Sequence, residues 1–427
     1  IFVRKMKDSG IEWIGQIPED WDIWPTKRFF RHTKTFAGEQ VDSYERLALT
    51  MNGVIKRSKD DSEGLQPEKF DTYQVLCENE LVFKLIDLAN VKTSRVGLSP
   101  YTGIVSPAYI ILKNNNRDNR FYYYYFMSMY YNKIFNNLGD NGVRSSLNAQ
   151  DLLNIPMVGI SHSLQIRIAD FLDDKCGKID RYIEKQQQII DKLKAYKQAV
   201  ITEAVTKGLD PDVPMKDSGN DTIGRIPQHW SVIKFKYISD AIGDGLHSTP
   251  EYDADGDYYF LNGNNIGAET LVFKENTDRL NEVEFHKYKP VNINDRTILI
   301  TLNGATYGKT SFYNSEKVLL GKSAGYITLK NGENKHFVRL YLQSYVARLI
   351  MELSLCGSTI ANLSLRTLNE FVMPYPPTNE RDEIVDYLSA KCTEIDIVIS
   401  KKQAVIDKLT EYKKSLIYEA VTGKLEV

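Results

Sequence analysis

Two glycine-rich stretches carry the side chains best suited to holding an anionic backbone. One reads Gly243-Asp244-Gly245-Leu246-His247-Ser248-Thr249-Pro250, and the other runs Thr301-Leu302-Asn303-Gly304-Ala305-Thr306-Tyr307-Gly308-Lys309-Thr310. Glycine lets a main chain come close to a phosphate, and short hydroxyl, amide and ammonium groups donate to its oxygens. His247, Ser248, Thr249, Thr301, Asn303, Tyr307 and Lys309 are therefore candidate contacts. An earlier stretch of the same kind, Thr50-Met51-Asn52-Gly53-Val54-Ile55-Lys56-Arg57, adds Thr50, Asn52, Lys56 and Arg57. Lys92, Arg95 and Arg144, the last beside Ser145, place further positive donors near turns. For any one of these residues a solvated loop is an equally good reading, so the weight rests on the clusters.

Chemistry that breaks bonds has no comparable signature. Amino-methyl transfer needs an Asn/Asp-Pro-Pro-Tyr/Phe loop around the target base. Pro374-Tyr375-Pro376-Pro377 has the wrong order and stands at a helix entry, so it reads as a stiff connector. There is no GxxxxGK[ST] phosphate loop and no HExxH, and the six histidines are scattered. Cys77, Cys176, Cys356 and Cys392 lack the spacing of a zinc site. The chain reads as a binder rather than an enzyme.

Something must position these loops, and the sequence builds it twice. Gln165 to Gly208 has no proline and, between Lys178 and Lys207, no glycine. Apolar residues recur there on a seam of alternating steps of four and three, with two seam positions passed over: Leu172, Cys176, Ile179, Ile183, then Ile190, Leu193, Val200 and Ala204. This heptad seam predicts a long helix that needs a partner helix, a rod of about 60 Å. Arg381 to Leu425 repeats it in register: Cys392 matches Cys176, Ile395-Asp396 matches Ile179-Asp180, and Glu419-Ala420-Val421-Thr422 matches Glu203-Ala204-Val205-Thr206. Gln186 and Lys402 put a polar residue in the same seam position of both copies, a register device. A Cys176–Cys392 disulfide is excluded for an antiparallel pair, because equivalent positions would lie beyond the ~7 Å limit on Cα separation.

The repeat extends upstream of each helix. Met6-Lys7-Asp8-Ser9-Gly10 recurs as Met215-Lys216-Asp217-Ser218-Gly219, and Ile14-Gly15, Ile17-Pro18 and Trp21 recur as Ile223-Gly224, Ile226-Pro227 and Trp230. Each Trp is expected to plug the start of the domain that follows, with base stacking as the competing role. Between these repeated parts lie two unlike segments with short β-like runs, 22 to about 157 and 231 to about 373. Six consecutive aromatics, 121–126, begin a helical stretch and cannot all face one core; packing inside the domain is the preferred reading, with some meeting a neighbouring surface as the alternative. The expected plan is α+β: a first mixed α/β domain over 1–157, a long helix over 158–208, a second such domain over 209–373 and a second helix over 374–427. The 427 residues give ample core, and the net charge of −2 means that any nucleic-acid surface is local or completed by partners. No apolar run reaches membrane-spanning length and no signal peptide is seen, so a cytoplasmic location is expected. The first Met is at position 6, which suggests that upstream residues are missing.

Taken together, the duplicated Met-Lys-Asp-Ser-Gly…Ile-Gly…Ile-Pro…Trp lead, the duplicated helix ending in Glu-Ala-Val-Thr, and the Asp244–Pro250 loop followed by Gly304…Gly308 resemble the specificity subunits of Type I restriction-modification systems over essentially the whole chain. The family usually has Glu-Gln at the helix entry, where this chain has Leu164-Gln165 and Glu380-Arg381. The resemblance implies two target-recognition domains, each reading one half of a split, asymmetric site in double-stranded DNA. It implies an antiparallel intramolecular coiled coil with pseudo-twofold symmetry, which sets the spacer and docks two methyltransferase subunits. S-adenosylmethionine would be held by those partners, and ATP and Mg2+ by restriction subunits. No cofactor and no catalytic residue is implied for this chain. A specificity subunit of a related fused restriction-methylation system, and a self-contained methyltransferase or nuclease, are the alternatives.

Overall fold

The computed structural model describes residues 4–61, 70–86, 88, 95–115, 118–138, 146–288, 292–355 and 362–427. It divides into two compact units, one made of residues 1–187 with 403–427, the other of 188–402. The two long helices, His162–Lys207 and Thr378–Val421, are shared out between the units: each unit takes one half of each helix.

Within each unit the frame repeat has a structural cause that can be read atom by atom. In the first unit Met6–Asp8 pairs antiparallel with Gln16–Pro18, and the Asp8 carboxylate accepts from the Gly10 amide at 3.0 Å. In the second, Met215–Asp217 pairs with Arg225–Pro227 in the same register, and Asp217 accepts from Gly219 at 2.8 Å. Gly10 and Gly219 have φ of +72° and +75°, a conformation that disfavours a Cβ. Asp and Gly therefore recur because the turn uses both, the carboxylate as acceptor and the glycine for its backbone. Trp21 and Trp230 are buried plugs, 2% and 1% exposed, as the sequence predicts.

The helices are held by burial. In the first unit Ile168, Ala169, Leu172, Cys176 and Ile179 share one core with Leu416, Ile417, Ala420 and Val421. In the second, Ile201, Ala204 and Val205 share a core with Ile384 and Leu388. The paired segments run antiparallel in both. Asp180 meets Lys413 at 2.7 Å and Arg167 reaches the carbonyl of Val427 in the first unit; in the second, Lys197 meets Asp396 at 2.6 Å. Asp180 and Asp396 are repeat equivalents, as are Lys197 and Lys413, so one contact is written twice. Gln186 is half-buried, with its Oε1 shielded from solvent. Cys77, Cys176 and Cys392 are free thiols. Burial pushes the Cys176 thiol up to about 11, which suits a packing residue rather than a nucleophile.

The unlike segments prove to share a strand plan. The first unit has a four-stranded sheet in the order Gly53–Arg57, Arg46–Thr50, Gly103–Val105, Gln74–Leu76, and a three-stranded one in the order Ile110–Leu112, Leu81–Phe83, Val96–Leu98. The second has a three-stranded sheet in the order Arg279–Leu280, Tyr258–Leu261, Val318–Leu320, and a four-stranded one in the order Ser239–Asp244, Ala324–Leu329, Thr297–Thr301, Thr310–Phe312. Among the described strands each unit has one parallel pair: Arg46–Thr50 beside Gly103–Val105, and Tyr258–Leu261 beside Val318–Leu320. Matching these pairs makes the turn at Met51-Asn52 the counterpart of Asn262–Asn265. The aromatic run packs inside, the preferred reading of the sequence, and does not meet a neighbouring surface. In the helix Arg120–Tyr131 only Tyr123 of residues 121–126 is even partly exposed. Core surrounds this helix on several sides: Phe126 packs edge-on against Phe83, Tyr125 donates to the Pro156 carbonyl at 2.9 Å, and Tyr124 donates to Asp173 of the long helix at 2.6 Å.

One departure between the two frames gives a stability test. Glu380 accepts from the Trp230 indole at 3.0 Å and pairs with His229 at 2.8 Å. At the matching place the first unit has Leu164, and the buried Trp21 Nε1 finds no partner among the described residues. Glu380→Leu should therefore destabilise the second unit by about 1–3 kcal/mol, the cost of orphaning a buried donor, as read by urea denaturation. Gln at 380, which still accepts from the indole, should restore most of it.

Candidate nucleic-acid interface

Strand direction decides which loops meet. In the second unit Ser239–Asp244 and Thr297–Thr301 both run antiparallel to Ala324–Leu329, with Asp244 opposite Gly325 and Thr301 opposite Ala324. The segments that follow them, 245–250 and 302–309, therefore leave the sheet at one end, next to the turn 321–323. Hydrogen bonds stitch these segments together. Gly245 N donates to Ala324 O at 3.0 Å, Leu246 N to Leu320 O at 2.7 Å and Leu302 N to Ser323 O at 2.9 Å. The loop 262–265 joins through Ser323 Oγ, which accepts from Gly263 N at 2.8 Å and donates to Asn262 Oδ1 at 3.2 Å. A Cβ on Gly245 would sit 2.3 Å from the Leu320 backbone, so only glycine permits this approach.

The structure sorts the predicted residues of this unit by role. His247, Ser248 and Thr249 are exposed on the first loop. The His247 Nε2 lies 2.6 Å from the Asp244 carboxylate, which fixes the ring. Lys309 is exposed and makes no ion pair among the described residues. Tyr307 is half-buried. Asn303 is half-buried and bridges to Asn362 through its backbone. Thr301 corrects the sequence reading: it is 1% exposed and its hydroxyl donates to the Gly263 carbonyl at 3.2 Å. It holds two loops together and offers nothing outward. Two exposed donors at the same end escaped the sequence reading as contacts, Asn264 and Lys322. Lys322 makes no ion pair among the described residues. The signal was there, in Gly321-Lys322-Ser323 as another glycine-bearing turn.

The first unit disperses its candidates. Thr50 Oγ1 donates to Gly53 O at 3.0 Å and accepts from Asn52 N at 3.1 Å, so it builds the hairpin turn and leaves Asn52 exposed at the tip. Lys56 and Arg57 lie at the far end of that hairpin, opposite Leu47 and Arg46, roughly 10 Å along the strand from the turn. They are engaged there, Lys56 with Glu45 at 2.6 Å and Arg57 with Asp61 at 2.5 Å. Hairpin geometry thus separates what the sequence grouped. Arg95 is a second correction. It is 2% exposed and donates to the Leu88 carbonyl at 3.1 Å, which makes it part of the interior. Lys92 and Arg144 lie outside the described residues.

Known proteins share this architecture. A family model described as "Type I restriction modification DNA specificity domain" matches residues 227–408. The Type I restriction enzyme MjaVIII specificity subunit of Methanocaldococcus jannaschii is 24% identical over 282 residues, 64% of this chain. The match spans 63% of that relative's own length. A chain solved in work on complex assembly and conformational transition of the type I R-M system has the same fold, with a TM-score of 0.70 and 14% identity over 96% of this chain and 99% of that one. No described helix is long and apolar enough to cross a membrane. With its duplicated frame and its two loop-bearing units, the chain is similar in sequence over residues 227–408, and in fold over nearly its whole length, to the specificity subunits of type I restriction-modification systems.

Proposed function

We propose that each unit reads one half of a split DNA site through the loops gathered at one end of its sheets, while the long helices set the spacer and dock methyltransferase subunits. The observation that carries this is one frame, written twice down to its ion pair, presenting two different sets of loops. In the second unit the reader is His247, Ser248, Thr249, Asn264, Asn303, Tyr307, Lys309 and Lys322; in the first it is centred on Asn52, with Lys92 and Arg144 as further candidates. Thr50 supports the Asn52 turn, and Lys56 and Arg57 form a separate basic edge. Transfer of a methyl group from S-adenosylmethionine, and any ATP- and Mg2+-dependent cleavage, belong to partner subunits in this reading. Methylome sequencing of a host with and without the gene tests it, and a methylated motif in two parts that depends on the gene is the expected result.

Two further outcomes follow. Lys322→Ala should weaken binding equally on all DNA sequences and lower the slope of log affinity against log salt by roughly 0.9, as for one lost phosphate contact. His247→Ala should instead cost about 1–3 kcal/mol on the cognate sequence and relax one base position. An equal loss on cognate and random DNA for His247→Ala, or a loss confined to the cognate sequence for Lys322→Ala, would contradict these assignments. The second outcome concerns autonomy. With a net charge of −2, the purified chain should bind DNA weakly and transfer no methyl group until a methyltransferase subunit is added, in filter-binding and tritiated-methyl assays.

A further inference from the structure

Behind the loop 304–310, the second unit has a solvent-open recess of about 670 Å³ against the long helices, with Lys194, Lys309 and Arg348 exposed at it. That volume is within the usual range for small-molecule sites, roughly 300–1,000 Å³. Four cations line it, Lys194, Lys197, Lys309 and Arg348, against one carboxylate, Asp396. Asp396 is already engaged by Lys197 at 2.6 Å. Lys194, Lys309 and Arg348 make no ion pair among the described residues. The wall also contains Thr310, 2% exposed, whose buried hydroxyl has no hydrogen-bond partner among the described residues. A buried hydroxyl without a partner costs about 1–3 kcal/mol, so the arrangement favours an acceptor arriving in the recess. Gly308 keeps the wall in place: its φ is +77°, and a Cβ there would lie 2.7 Å from the Met351 sulfur. The loop reads Gly304-Ala305-Thr306-Tyr307-Gly308-Lys309-Thr310, one residue short of a phosphate loop, and runs into a strand rather than a helix. It is not a nucleotide-hydrolysis motif.

The duplicated frame by itself does not create this recess. At the matching place in the first unit, beside the equivalent pair Asp180–Lys413, the recess is only about 190 Å³. Tyr123, Tyr124 and Tyr131 fill it, with Lys413 facing two carboxylates, Asp173 and Asp180. Lys309 and Arg348 come from the variable segment of the second unit, whereas Lys194 and Lys197 stand on the long helix.

We propose that this recess binds a phosphate group, held by Lys194, Lys309, Arg348 and the Thr310 hydroxyl. The phosphate could come from the DNA backbone or from a free phosphate-bearing ligand, and the test separates these sources. Calorimetric titration of the full chain with pyrophosphate at low salt should show binding. The double variant Lys194→Gln with Arg348→Gln should weaken it by roughly tenfold or more, as two charge-assisted hydrogen bonds are lost. Thr310→Val, which keeps shape and charge, should weaken it as well, and it stands if the double variant misfolds. The second measurement is the salt dependence of DNA binding by the assembled complex. A slope lowered by roughly 0.9 per contact in the double variant assigns the phosphate to the DNA backbone. An unchanged slope with pyrophosphate binding intact in the parent chain assigns it to a free ligand. No pyrophosphate binding together with an unchanged slope overturns the proposal, as does pyrophosphate binding that neither variant weakens. The titration contains no DNA, so it fails or succeeds independently of the DNA-reading role.

Discussion

Neither long helix can bury its apolar stripe alone, and the rest of the molecule follows from how that stripe is covered. An isolated amphipathic helix is held by what packs on it more than by propensity. Here the N-terminal half of one helix and the C-terminal half of the other enter a common core in each unit, around Leu172, Cys176 and Ala420 in one and Ala204, Val205 and Leu388 in the other. The ion pairs Asp180–Lys413 and Lys197–Asp396 sit partly exposed beside that seam. At about 0.2–1 kcal/mol each they add little stability. Their value is register, because the same pair recurs at equivalent positions and so reports the same alignment in both units.

Freedom elsewhere is the consequence of that fixed frame. The Asp-Ser-Gly turns, the Trp plugs and the helix seams are duplicated, while the sheets between them share only strand plan. In the second unit sheet direction then brings several loops to one end. The stitching there is done by backbone amides, by Gly245 and by the hydroxyls of Thr301 and Ser323. His247, Ser248, Thr249, Asn264 and Lys322 are left to face outward.

The frame was legible in the sequence because repetition and heptad period are one-dimensional signals. Two unit-forming segments, two long helices and the Trp plugs all follow from them. The reader was legible only in part. Thr301 and Lys309 look alike on the page, both polar and near glycine, yet one ends inside a β-ladder and the other on a loop. Lys56 and Arg57 share a stretch with Asn52, but strand length carries them to the opposite end of the hairpin. The aromatic helix packs inside, as preferred from the sequence, but which surfaces surround it is a tertiary fact that no local period encodes.

The central claim is that each unit reads its own half-site from a common frame. The direct measurement replaces residues 22–157 with the corresponding segment of a similar specificity subunit and maps methylation in a host that supplies the partner subunits. The account predicts that one half of the recognised sequence changes while the other half and the spacer stay as they were. A change in both halves, or in neither, would contradict it.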